Sequence, residues 1–265
     1  MITMILDNDV NNIKIYDTVG IDRIFIDLEV NNKYERQGHL DTVMSTHSIN
    51  DVKKIKPILK NTKLLVRINP IYEHTAKEIS TSIKNGADII MLPMFKSVAE
   101  VQLFIDYVSK KARTCLLLET SEALARIDDI LEIEGIDEIH IGLNDLHLSL
   151  GLDFMFELMG DGLIEYLTTK IKSKHIPFGI GGVARMDEGM LQGNIIIKEH
   201  VRLGSSMVIL SRTFKRDLDK NTLKKEVIKL QLCEKEAHTL SAKELIENKL
   251  LLKKLAKDIA IIQKK

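Results

Sequence analysis

Three charged residues stand where apolar stretches end. Glu119 directly follows the apolar run 115–118 (CLLL), and Asp145 lies a few residues beyond the apolar run 138–141 (EIHI). An ionised carboxylate buried at such a place is costly unless something compensates it. If the two runs are neighbouring strands, the carboxylates converge at their ends, and like charges that close destabilise each other. A divalent cation is the simplest neutraliser. Two carboxylates completed by water and substrate oxygens is the mode magnesium prefers, with manganese a near alternative. The competing reading is that Glu119 caps the following helix or pairs with Arg67. Arg67 itself sits inside the apolar run 64–68 (LLVRI). From a strand mouth its planar fork can grip a carboxylate with two parallel hydrogen bonds. A structural ion pair with Glu29 or Glu119 is its other reading, and the two readings can coexist.

Those residues need a scaffold that brings strand ends together. Short apolar runs recur at 2–6, 23–28, 64–68, 89–92, 114–119, 138–141, 177–180 and 207–210, each followed by an amphipathic stretch. Strands that are apolar on both faces and alternate with helices belong to buried parallel sheets. Eight of them favour a closed (β/α)₈ TIM barrel over an open doubly wound sheet, and no G-x-G-x-x-G follows the first strand. In such a barrel the chemistry lies at the C-terminal ends of the strands. The residues ending the runs are Asp27 and Glu29, Arg67 and Asn69, Pro93, Glu119 and Thr120, Asn144 and Asp145, and Gly181–Gly182. The glycine pair is expected in the loop after the seventh strand. There it makes either a tight turn beside the substrate or a phosphate seat of backbone N–H groups.

Residues 1–214 are expected to form the barrel and 215–265 a C-terminal helical extension with the eighth barrel helix. Segments 221–236 and 241–264 read as two helices, with Ser241 and Glu244 at capping-box spacing. In the second, Asn248 and Lys249 interrupt an otherwise apolar stripe. Lys plus Arg and Asp plus Glu are both 38, so the chain has no basic excess for nucleic acid. Two distant cysteines, Cys115 and Cys233, make neither a zinc site nor a disulfide framework. With no signal-like start and no membrane-length apolar run, a cytoplasmic protein without a membrane partner is the expectation.

With the residues placed, the chain resembles the HpcH/HpaI aldolase and citrate lyase family. The matches are FIDLE at 25–29, VRIN at 66–69, MLPMF at 91–95, LLLET at 116–120 and IGLNDLHLSLG at 141–151. They occur in family order across roughly residues 20–210. The resemblance implies a metal-dependent carbon–carbon lyase, a class II-type aldolase acting on a 2-oxo acid or pyruvate-enolate unit. It implies Glu119 and Asp145 as ligands of Mg²⁺ or Mn²⁺, with Arg67 holding the substrate carboxylate and steadying the enolate. Backbone groups at Leu143 and Asn144 would complete the substrate pocket, and a homo-oligomer is expected.

One position departs from the pattern. Where aldolases of this family usually carry a histidine base, this chain has Val30, in DLEVNN. The candidates for the missing proton acceptor are Glu29, His39 in the polar loop that follows, His47 just beyond it, and a metal-bound water. A Schiff-base route would need an inward lysine, and Lys96 is the one awkward candidate. Two other readings compete: a citrate lyase-like or malyl-CoA lyase-like enzyme acting on a CoA thioester, and a catalytically inactive barrel serving as a binding or scaffold protein.

Overall fold

The computed structural model describes residues 1–30, 46–216 and 218–264. Eight parallel strands close on themselves: β1 (Ile2–Leu6), β2 (Arg23–Asp27), β3 (Lys63–Arg67), β4 (Ile89–Leu92), β5 (Arg113–Leu118), β6 (Glu138–Ile141), β7 (Phe178–Val183) and β8 (Met207–Leu210). The ring is completed where β1 pairs with β8, Ile2 opposite Met207 and Ile5 opposite Leu210. The expected TIM barrel is therefore the observed fold.

Between and after the strands lie α1 (Val10–Val19), α2 (Ile49–Ile55), α3 (Thr75–Lys84), α4 (Val98–Val108), α5 (Ser121–Ala125), α6 (Ile127–Ile130), α7 (Leu143–Ser149), α8 (Glu157–Gly160), α9 (Leu163–Ser173), α10 (Gly193–Leu203), α11 (Lys220–Ala237) and α12 (Ala242–Gln263). The stretch after β5 is two short helices broken at Arg126, and the stretch between β6 and α9 holds α7 and α8.

Strand periodicity of two sorts the apolar residues into two cores. Ile24, Ile26, Leu64, Val66, Leu116 and Leu118 point outward and join the helices in the large cluster. Their neighbours Phe25, Leu65, Met91, Cys115, Leu117 and Met207 point inward and fill the barrel. The same alternation turns Asp27, Arg67 and Glu119 inward, one step above that filling.

Below the filling, at the N-terminal end of the barrel, lies a buried ion pair. Arg23 donates to both oxygens of Glu138, with Nη2 to Oε2 at 2.9 Å, and its Nη1 lies 3.5 Å from the Met207 sulfur. Arg113 approaches the same carboxylate at 3.6 Å.

The C-terminal helices pack on the barrel's own outer layer. α11 lies against α1 and α10, and α12 against α8 and α10. Ser241 and Glu244 form the expected capping box. Asn248 and Lys249, which break the apolar stripe, are what fastens α12. Asn248 Nδ2 donates to the Ile195 carbonyl at 3.0 Å, and Lys249 pairs with Glu165. Arg202 bridges Glu165 to the fully buried Glu199, both at 2.8 Å. A buried carboxylate met by a bidentate guanidinium is compensated in place.

Candidate active site

A cavity of about 260 Å³ opens at the C-terminal end of the strands, and Arg67, Glu119, Asn144 and Asp145 all line it. Leu143 and Asp27 are part of the same wall. The strand register explains the first contact. Asp27 on β2 pairs directly with Arg67 on β3, so adjacent inward side chains meet. Arg67 donates from Nε and Nη2 to the two oxygens of Asp27, each at 2.8 Å, and Nη2 also lies 3.3 Å from Glu29. Its guanidinium carbon stands 5.4 Å from the centre of the Phe25 ring. Burial works against the charge of Arg67, but Asp27 and Glu29 overcompensate and hold it protonated. Asp27 thus fixes one edge of the fork, while Nη1 makes no hydrogen bond among the described residues. The ion pair anticipated with Glu29 is present, and Asp27 is the stronger partner that the sequence did not single out.

Glu119 follows β5 and is 3% exposed. The helix-capping alternative falls away, because Thr120 does that work. Its hydroxyl accepts from Ala123 N–H at 3.1 Å and donates to the Phe95 carbonyl at 2.7 Å. The Glu119 carboxylate instead accepts the Met94 N–H at 3.1 Å. Met94 has φ +52°, a left-handed conformation that costs a side-chain-bearing residue about 1–3 kcal/mol and collects at functional sites. Gly142 is the other device. A Cβ there would lie 2.7 Å from Glu119 Oε2, so only glycine lets the chain pass so close. Burial pushes the Glu119 carboxyl well above the ordinary range, and the negative charge of Asp145 pushes it further.

Asp145 belongs to the first turn of α7 rather than to a strand end. Gly142 ends β6 and opens that helix, so Leu143, Asn144 and Asp145 all sit in its first turn beside the cavity. Backbone N–H groups there have no intrahelical acceptor. Among the described residues no group of three or more His, Cys, Asp or Glu is arranged around one point for a metal.

Other expected residues fall elsewhere. Gly181 and Gly182 lie within β7, not in a loop after it, and the β7–β8 register slips between Gly179 and Gly182. The expected turn or phosphate seat is replaced by a bulge in the cavity wall. Lys96 is on the surface, paired with Glu122 at 3.0 Å. His47 is half-buried. Its Nδ1 accepts the Asp27 backbone N–H at 3.0 Å, and it does not line the cavity. His39 lies outside the described residues. Asn69 braces the loop after β3, donating to Glu78 at 2.8 Å and accepting from Val30 N–H at 2.9 Å.

Sequence reasoning missed His140. It is an inward residue of β6, fully buried, and lines the cavity. Its Nε2 lies 2.9 Å from the Gly181 carbonyl, and burial lowers its pKa to about 4. The one available signal was a polar residue at an inward position of an apolar run.

The profile of the HpcH/HpaI aldolase/citrate lyase family matches residues 6–155. A hydroxypyruvate/pyruvate aldolase of Rhizorhabdus wittichii is 46% identical over 48 residues, 17% of this chain and 19% of that enzyme, so the match spans about a fifth of the relative. The crystal structure of an HpcH/HpaI aldolase from Desulfitobacterium hafniense superposes with a TM-score of 0.62 at 15% identity, over 91% of this chain and 94% of that one. The crystal structure of the citrate synthase SbnG gives a TM-score of 0.61 at 16% identity, over 90% and 95%. At these identities the solved structures speak for the fold alone. The family profile covers more than half of the chain, from the end of β1 to beyond α7, and the chain belongs to the HpcH/HpaI aldolase/citrate lyase family.

Proposed function

We propose that the protein is a divalent-metal-dependent carbon–carbon lyase of aldolase type, acting on a 2-oxo acid at the mouth of the barrel. The observation that carries this reading is the grouping of Arg67, Glu119 and Asp145 around one cavity of about 260 Å³. That volume suits a small molecule. Family membership and the name of the R. wittichii relative support the same chemistry.

Glu119 and Asp145 offer hard carboxylate oxygens to one space, and burial with the charge of Asp145 presses Glu119 towards its neutral form, a cost that a bound cation would relieve. This donor set fits Mg²⁺ or Mn²⁺ completed by water and substrate. When bound, such a cation supplies Lewis-acid stabilisation of charge developing on an enolate. Arg67, oriented by Asp27, presents Nη1 to the substrate carboxylate and offers fixed positive charge where the enolate forms. Leu143 and Asn144, first-turn residues that line the cavity, would supply backbone N–H donors to substrate oxygens. Glu29, 2% exposed and 3.3 Å from Arg67, is the described candidate to move a proton at the substrate's third carbon. A homo-oligomer completes the reading, with exposed Leu232 on α11 and Leu250 and Ile262 on α12 as apolar contacts.

The test uses pyruvate in D₂O with Mn²⁺ or Mg²⁺, following methyl-proton exchange by NMR. Exchange that EDTA abolishes and added metal restores is the expected result. Metal binding without any exchange would instead favour a barrel that binds and does not react. Inactivation by borohydride in the presence of pyruvate would replace the metal account with a Schiff base.

A further inference from the structure

The described mouth rests on a feature of β7 that the proposed chemistry does not use. The strand carries three glycines, Gly179, Gly181 and Gly182, and its register with β8 slips between the first and last of them. Each of the first two is a space filled by a neighbour. A Cβ on Gly179 would lie 2.4 Å from His140 Nδ1, so the imidazole occupies the place of the missing side chain. A Cβ on Gly181 would lie 2.6 Å from Leu143 Cδ1, so Leu143 is seated against the backbone there. Gly181 also has φ +45°. A left-handed residue in mid-strand turns its carbonyl out of the ladder, and that carbonyl needs another donor. His140 Nε2 supplies it at 2.9 Å.

We propose that His140 is a positioning residue for the cavity. Its imidazole holds the β7 bulge in the arrangement that seats Leu143 on Gly181, and so sets the first turn of α7, with Asn144 and Asp145, over the cavity. The inference rests on the reading of this mouth as the active site. The bond also fixes the tautomer: Nε2 carries the proton, and Nδ1 is left as a buried acceptor without a partner among the described residues. A buried polar atom left unsatisfied is a cost, and a purely structural position would be served more cheaply by an apolar side chain.

Three variants test it. His140→Gln places an amide N–H near the Nε2 position, His140→Asn has a donor too short to reach Gly181, and His140→Phe keeps the volume without a donor. Three readouts are taken on each: Mn²⁺ affinity by calorimetry with no substrate present, kcat and KM for pyruvate proton exchange, and hydrogen exchange of residues 142–146 and 178–183. Asn and Phe are expected to weaken Mn²⁺ affinity about tenfold, the scale of one lost buried hydrogen bond. They should also raise KM and speed hydrogen exchange in those two segments, while leaving β1 to β4 protected. Gln should stay close to the parent in all three. Equal behaviour of Gln, Asn and Phe would overturn the proposal, as would a lowered melting temperature with Mn²⁺ affinity and KM unchanged. If the parent protein neither binds Mn²⁺ nor exchanges pyruvate protons, the lyase reading fails. Hydrogen exchange still decides whether His140 orders α7.

Discussion

The barrel interior contains two buried arginine–carboxylate clusters, one at each end of the same strands. At the floor, Arg23 meets Glu138 through both of its terminal nitrogens, with the Met207 sulfur of the apolar filling against it. At the mouth, Arg67 meets Asp27 just as closely, yet Glu29 is also within 3.3 Å, and the charge of Glu119 reaches it too. A buried ion pair alone therefore does not mark a site. The floor matches a guanidinium to a carboxylate and packs around them. The mouth gathers several carboxylates about one guanidinium, lines a cavity with Asp27, Glu119 and Asp145, and holds Met94 in a strained conformation that donates to Glu119.

Mutations that leave one charge behind separate the two ends. Glu138→Leu should be the most damaging, because it strands Arg23 in the core. We expect a loss of about 3–5 kcal/mol in denaturant unfolding. The double variant Arg23→Met/Glu138→Leu should recover most of it, and a single-variant loss below about 1 kcal/mol would mean that the floor pair is not ionic. Arg67→Met should cost less stability, since the mouth is wetter, but should weaken binding of oxalate or pyruvate by about 100-fold. Equal affinity in calorimetry would remove Arg67 from the site.

Glu119→Gln acts through pH. A carboxyl whose folded pKa is raised contributes stability that is fully present below its unfolded value and is lost as pH rises through the folded one. The metal-free protein should therefore lose stability as pH climbs from the acid range through the raised value of Glu119. The Gln variant should flatten that slope, raise the melting temperature at neutral pH, and no longer bind Mn²⁺. A parallel pH dependence in both proteins would contradict the burial of Glu119. Lys96→Ala should have the smallest effect. Its partner Glu122 is a surface residue, and such pairs are worth about 0–1 kcal/mol. Unchanged turnover is expected, and loss of activity would reopen the Schiff-base route.

Much of this was legible in the residues. Alternation of burial follows from strand geometry, so eight apolar runs gave eight strands, and charges at their ends gave Glu119 and Arg67. Asp145 was expected at a strand end and reaches the cavity from the first turn of α7. Leu143, Leu146 and His147 are buried at helical spacing, a signal masked because the segment also reads as the loop after a strand. The Asp27–Arg67 pair depends on strand register, which no single strand encodes. Met94 had no local signal, since its left-handed backbone goes with a hydrogen bond to Glu119, 25 residues away in the chain. His140 and the β7 glycines explain one another only once both strands are side by side.

Closure of the ring has a consequence in time. Ile2 and Met207 pair across roughly 200 residues of intervening chain, and such long-range contacts form late in folding. During synthesis β1 has β2 for a neighbour early, but its other edge waits until β8 has left the ribosome. An open strand edge is a place for the wrong partner to add. The interval between those two events is when this chain is most exposed to aggregation, and a chaperone that covers the β1 edge would act then.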